Sequence, residues 1–178
     1  MNVRSMVNPI HLYRYGQSRL KFEARKCEYY LAAHGLPSTR NARKLMALKD
    51  RHRGQRCFVL GNGPSLNKTD IDLLVNEITF ASNKIYLCFD EKKFRPTYYT
   101  VEDPLVVRYN YETINSLTGF IKIFPDDMRG LLKSTPDTIF IPFDRSEKHF
   151  PRFSVDPVAG FGWGSTVVYM SIELAYFM

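Results

Sequence analysis

The residues of this chain best suited to chemistry are glycines, short polar side chains and single acids that follow apolar runs. "CFVLGNGPSLNKTDIDLL", beginning at Cys57, passes from an apolar stretch through Gly61, Asn62, Gly63, Pro64 and Ser65 into a segment patterned as a helix. Gly61 and Gly63 allow a ligand to approach the backbone closely, Pro64 stiffens the turn, and Ser65 adds a hydroxyl. A helix opening there offers unpaired N–H groups and a partial positive charge, which suit a phosphate. Two standard phosphate signatures nevertheless fail. Leu66 stands where the dinucleotide fingerprint needs its third glycine, and Asn67 precedes Lys68-Thr69 where the Walker loop needs glycine.

A second loop has the same texture. "GFGWGSTVVY" sets Gly160, Gly162 and Gly164 ahead of Ser165, Thr166 and a strong apolar helix pattern. Two such loops can clasp one diphosphate or nucleotide from two sides. Polar groups also stand where two apolar runs end. Asn83 closes "FASN" at a place that nucleotide-binding α/β folds use to reach a ribose or a base. Glu102 and Asp103 close "TVED", where a carboxylate can hold a ribose hydroxyl, a Mg²⁺ ion or a substrate proton. Side chains alternate along a strand, so this pair is expected on opposite faces. Asp103, which opens the loop, is the candidate for catalysis and for Mg²⁺. Of the histidines, His11, His34 and His52 fall in the basic N-terminal part, and His149 in "SEKHFPRF" is a loop-borne candidate base. No metal-ligand spacing and no nucleophile elbow accompanies them.

The elements that must position these groups read as α/β. "RCFVL", "EITFASN", "PTYYTVED", "GFIKIF" and "TIFIPF" are strand patterns; "DIDLLV", "PLVVRYNYETINSL" and "STVVYMSIELAYFM" are helical, with a short helical patch near "DDMRGLL". The alternation predicts a Rossmann-like three-layer sandwich with a mostly parallel sheet. Ligands in such sheets bind beyond the carboxyl ends of the strands, which is where the candidate residues fall. Ahead of the sheet, an apolar stripe at Leu20, Ala24, Cys27 and Leu31 gives one helix, ended by Gly35 and Pro37. A second helix follows, capped by Ser38 or Thr39. Residues 1–55 therefore read as a basic helical hairpin and 56–178 as the nucleotide-binding domain. The last helix pattern is apolar on several sides and carries no capping glycine, so its cover is expected from a segment further on, in a longer protein.

The net charge of +7 is concentrated at the start, where residues 1–56 hold 13 Lys/Arg against 3 Asp/Glu. This fits an anionic membrane surface or an acidic partner; without a reader motif, specific nucleic-acid binding is not expected. Three widely spaced cysteines give no disulfide framework, and no apolar run is long enough to span a bilayer. The expected location is cytoplasmic, peripheral at the inner face of the membrane through residues 1–55.

The stretches "RCFVLGNGPSLNKTDIDLLVNEITFASNKIYLCF", "PTYYTVEDPLV" and "GSTVVYMSIELAYFM" together resemble the 6-hydroxymethylpterin diphosphokinase MptE-like family, over roughly residues 45–178. That bacterial and archaeal family is similar to the Maf flagellin glycosyltransferases and to bacterial sialyltransferases that use CMP-sialic acid. The resemblance implies a nucleotide site in which Asn62, Asn83 and either Ser165 or Thr166 contact the nucleotide. It implies a nucleotide-sugar-dependent glycosyltransferase acting on a glycan or glycoprotein acceptor in surface polysaccharide biosynthesis. The alternatives are a diphosphokinase using ATP and Mg²⁺, or a non-catalytic nucleotide-binding module. Asp103-Pro104 stands where the sialyltransferases carry Asn-Pro, a departure that suits a different donor or Mg²⁺. The histidine base of those enzymes lies further along than Met178, so the resemblance implies nucleotide binding without that base.

Overall fold

The computed structural model describes residues 23–145, 151 and 153–178. Two helices open it, α1 over 23–33 and α2 over Arg40–Met46. Gly35, at φ 79°, makes the left-handed turn after α1, and the Thr39 hydroxyl caps α2 by accepting from the Ala42 amide. Five strands follow: β1 Cys57–Val59, β2 Ile78–Ser82, β3 Tyr98–Thr100, β4 Ile121–Pro125 and β5 Thr138–Ile141. All pair in parallel, in the order β1-β2-β3-β4-β5. Helix α3, Pro104–Ser116, connects β3 to β4. A separate parallel pair, β6 Phe143–Asp144 and β7 Phe161–Gly162, leads to α4, Val167–Phe177.

Neighbouring residues along each central strand enter two different cores. Phe80, Tyr98, Ile123 and Ile139 face one; Ala81, Tyr99, Phe124 and Phe140 face the other. Sequential parallel strands joined by crossovers of one hand place every crossover on the same side. That side holds Ile71, Ile85, Val107, Ile114 and Met128. The opposite side falls to elements outside the crossovers, with Tyr29, Ala42 and Leu45 from the N-terminal helices and Met170, Leu174 and Phe177 from α4. The result is a three-layer, Rossmann-like α/β fold whose described strands run without a reversal of order.

Three expectations change. First, the described part of the basic N-terminal segment packs on the sheet instead of standing apart. Asn41 closes the open edge of β5, its Nδ2 donating to Phe140 O at 3.0 Å and its Oδ1 accepting from Phe140 N at 2.8 Å. Second, the helix read in "DIDLLV" is a pair of short 3₁₀ turns, Pro64–Lys68 and Ile71–Leu74. The Asp70 carboxylate accepts from Asp72 N and starts a new turn, and Asn67, Thr69 and Asp70 all favour local side-chain bonding over helix. Third, the end of α4 finds partners within the chain: Leu45 and Leu48 share a core with Met170, Leu174 and Phe177, and Asp50 N and His52 N donate to the carbonyls of Phe177 and Met178 at 3.0 and 2.6 Å. Residues 45–52 thus supply part of the expected cover, while Ile172 and Tyr176 of α4 stay exposed.

Candidate nucleotide site

At the carboxyl ends of β2 and β3, beside the head of α4, lies a cavity of about 340 Å³. Asn83, Asp103, Ser165 and Thr166 line it, so four of the sequence candidates meet there, together with Glu102, Arg145 and Trp163.

Asn83 follows β2 directly and holds a left-handed backbone at φ 50°. Its N–H donates to Thr100 O at 3.0 Å and its carbonyl accepts from the Tyr99 hydroxyl, which fixes the conformation. Its side-chain oxygen is buried and has no partner in the protein. Ser165, across the cavity, is also left-handed at φ 60°. Among the described residues only Asp50 joins these two as a non-glycine with positive φ. Such backbone strain concentrates where ligands are held.

Thr166 opens α4 as its N-cap, its hydroxyl accepting from Val168 N at 3.3 Å. The 11 residues of α4 give its first turn free amides and a partial positive charge beside the cavity. Gly164 is glycine for packing: a Cβ there would sit 2.2 Å from the Tyr169 ring.

The first glycine loop plays a different part. None of residues 61–65 is among the lining residues. The Asn62 amide donates to Ser82 O at 2.7 Å, tying the loop to the end of β2, and Gly61 faces Val168 of α4. Gly63 has an ordinary extended backbone (φ −73°, ψ 162°), and Pro64 and Ser65 belong to a five-residue 3₁₀ turn instead of a helix. The loop borders the head of α4 without the helix N-terminus expected of it.

Asp103 caps α3, its Oδ1 accepting from Leu105 N at 2.7 Å with Pro104 in the first turn. The expectation that Glu102 and Asp103 diverge fails because β3 ends at Thr100, and alternation ends with it. Glu102 is buried and held by Arg145 Nη1 at 3.0 Å, while Arg145 Nη2 donates to Glu102 O at 2.8 Å and the Trp163 side chain also bonds the carboxylate. Burial pushes the Glu102 carboxyl above its ordinary value, and Arg145 and Trp163 oppose that rise. Arg145 Nε also donates to Asp127 Oδ2 at 2.6 Å, so one guanidinium ties the ends of β3 and β4.

Sequence reasoning assigned no role to Arg145 or Trp163 and preferred Asp103 to Glu102. The rule that found the other residues applied here too, because Arg145 follows the fifth strand pattern at its carboxyl end. Among the described residues, no group of three or more His, Cys, Asp or Glu could hold a metal ion. His34 bonds Tyr30 O, and His52 lies between Gln55 and the Tyr98 hydroxyl, 2.7 Å from the latter. His11 and His149 lie outside the described residues.

Among the described residues, no helix is long and apolar enough to cross a membrane. Comparison with family models, curated proteins and solved structures finds no match to the chain.

Proposed function

We propose that this cavity holds the nucleotide of an activated donor, and that the protein is a nucleotide-sugar-dependent, sialyltransferase-like glycosyltransferase serving surface glycan or glycoprotein biosynthesis. The observation that carries the reading is Asn83, a strained residue with an unpartnered buried amide oxygen on a cavity headed by the start of α4. An unpaired buried acceptor costs about 1–3 kcal/mol, which a donor on a base or ribose repays once the Asn83 side chain turns its oxygen into the cavity. Ser165 and the first amides of α4 suit the phosphate, and Asp103 suits a ribose hydroxyl. A volume of about 340 Å³ is at the small end of ligand pockets.

In such a transfer the acceptor hydroxyl oxygen bonds to the anomeric carbon and gives its proton to a base. The bond from that carbon to the phosphate oxygen breaks, and its electron pair stays on the phosphate. Fixed N–H groups at the head of α4 would stabilise the charge that develops there.

The diphosphokinase alternative draws on Glu102 and Asp103 meeting in one cavity as Mg²⁺ ligands for ATP. It is weaker because Arg145 already occupies Glu102 and α3 occupies one oxygen of Asp103. Calorimetry with CMP, UDP, GDP and ATP, each with and without Mg²⁺, separates the readings. The proposal expects CMP or UDP to bind without metal, and Asn83→Ala to weaken that binding about tenfold or more. ATP binding that requires Mg²⁺ favours the diphosphokinase. No response to any nucleotide overturns the nucleotide reading of this cavity.

A further inference from the structure

A second, larger cavity of about 450 Å³ lies along the same sheet edge, where β4 and β5 end against α1. Tyr29, Asp126 and Asp127 give it hydroxyl and carboxylate groups, and Pro142, Phe143 and Ala159 give it an apolar wall. Its charges are already matched. Arg25 Nε lies 2.8 Å from Asp126 Oδ2, Arg129 Nε lies 2.6 Å from Asp126 Oδ1, and Lys26 lies 3.5 Å from Glu23. Asp127 is held by Arg145. The Tyr29 hydroxyl donates to Asp126 at 3.0 Å; burial, reinforced by Asp126, raises its pKa and keeps it a phenol.

Every cation here lies beside a carboxylate, which leaves a free anion little net charge to bind, while the buried Arg25 Nε–H makes no hydrogen bond and can donate to a neutral oxygen. The cavity still offers lone pairs, because an ionised carboxylate has about four acceptor positions: Asp126 faces Tyr29, Arg129 and Arg25, and Asp127 accepts two bonds from Arg145, which leaves room chiefly on Asp127. Apolar wall on one side and acceptors on the other match a neutral ring that carries hydroxyls on one face and C–H groups on the other. Asp127 lines this cavity, and the arginine it holds lines the first. One ion pair therefore separates the two.

We infer that the second cavity binds the acceptor as a neutral sugar, beside the nucleotide cavity and across the Asp127–Arg145 pair. The inference rests on the nucleotide-donor reading of the first cavity for the role of the ligand, and on its own lining for the ligand's chemistry.

The test uses the full chain and saturation-transfer NMR with methyl β-D-galactopyranoside, methyl β-D-glucopyranoside and methyl phosphate, alongside calorimetry with CMP and UDP. Ala159 is exposed at the cavity lip, so Ala159→Trp puts an indole into the cavity without disturbing the core. The expected result is a glycoside signal weakened about tenfold or more in that variant, with nucleotide affinity unchanged. Glycoside binding that survives Ala159→Trp, or nucleotide binding with no glycoside binding, overturns the inference. So does methyl phosphate taking the place of the sugar. Glycoside binding that Ala159→Trp removes, with no response to any nucleotide, upholds the sugar site and sinks the donor reading separately.

Discussion

The two glycine-rich loops look alike as sequence and do different work. After β1, Gly61 and Gly63 keep backbone angles open to any residue and lead into five residues of 3₁₀ turn. After β7, Gly164 and Ser165 are sterically pinned and lead into 11 residues of α-helix. What makes a loop an anion site is the helix behind it, since one turn of 3₁₀ sums few peptide dipoles. Glycine spacing alone identifies neither.

Gly164→Val breaks the contrast hardest. Its Cβ would stand 2.2 Å from the Tyr169 ring, against backbone that also fixes the strained Ser165. A loss of about 3 kcal/mol in chemical denaturation is expected, with nucleotide binding lost as the head of α4 shifts. Adding Tyr169→Ala should recover much of the stability, because it removes the clashing ring.

Gly63→Val is the matching test on the first loop. The nearest atom to a Cβ there is Ser65 Oγ at 3.8 Å, and φ −73° with ψ 162° suits a β-branched residue. The melting temperature should hold. If the first loop also approaches the phosphate, nucleotide binding disappears; unchanged affinity by calorimetry would reduce that loop to a turn that ties β1 to β2.

How far the sequence was legible follows the same division. Apolar period and caps located the five strands of the main sheet, α3 and α4, but not the short β6–β7 pair, because those signals are local: Asp103-Pro104 opens α3 and Ser165-Thr166 opens α4. The 3₁₀ turns after Gly63 escaped because apolar spacing over four to six residues cannot separate them from a helix. The docking of α1 and α2 escaped because charge counting saw their exposed basic faces, while the information lay in Asn41 and Leu45. Asn83, Glu102 and Asp103 followed from the strand-end rule, and Ser165 and Thr166 from the glycine-led start of a helix pattern. The pairing of Glu102 with Arg145 did not follow, since it spans 43 residues and depends on where the chain re-enters after β5.

Glu173 tests what holds the second loop to α4. It is fully buried, its Oε1 accepts from Ser154 N at 2.6 Å, and its Oε2 has no partner. Burial raises its carboxyl from 4.5 to about 7, against the pull of the Ser154 amide. The folded state therefore keeps a proton that the unfolded state releases, and stability falls as pH climbs from 4.5 towards 7. Glu173→Gln stays neutral and should stabilise the protein by about 2 kcal/mol at pH 8, with a much smaller gain at pH 5. Denaturation midpoints at the two pH values check the sign; a gain equal at both would remove the titration from the account.

Ser165→Gly carries the smallest effect and the finest discrimination. A left-handed backbone costs an L residue about 1 kcal/mol, which glycine does not pay. At φ 60° the replacement should raise stability by up to about 1 kcal/mol, the opposite of what glycine does in ordinary backbone. If the strain serves only to turn the chain into α4, stability rises and nucleotide affinity holds. If Ser165 is kept left-handed so that its hydroxyl meets the phosphate, stability rises while affinity falls several-fold. Only the second outcome makes the head of α4, rather than the glycine loop after β1, the phosphate end of the site.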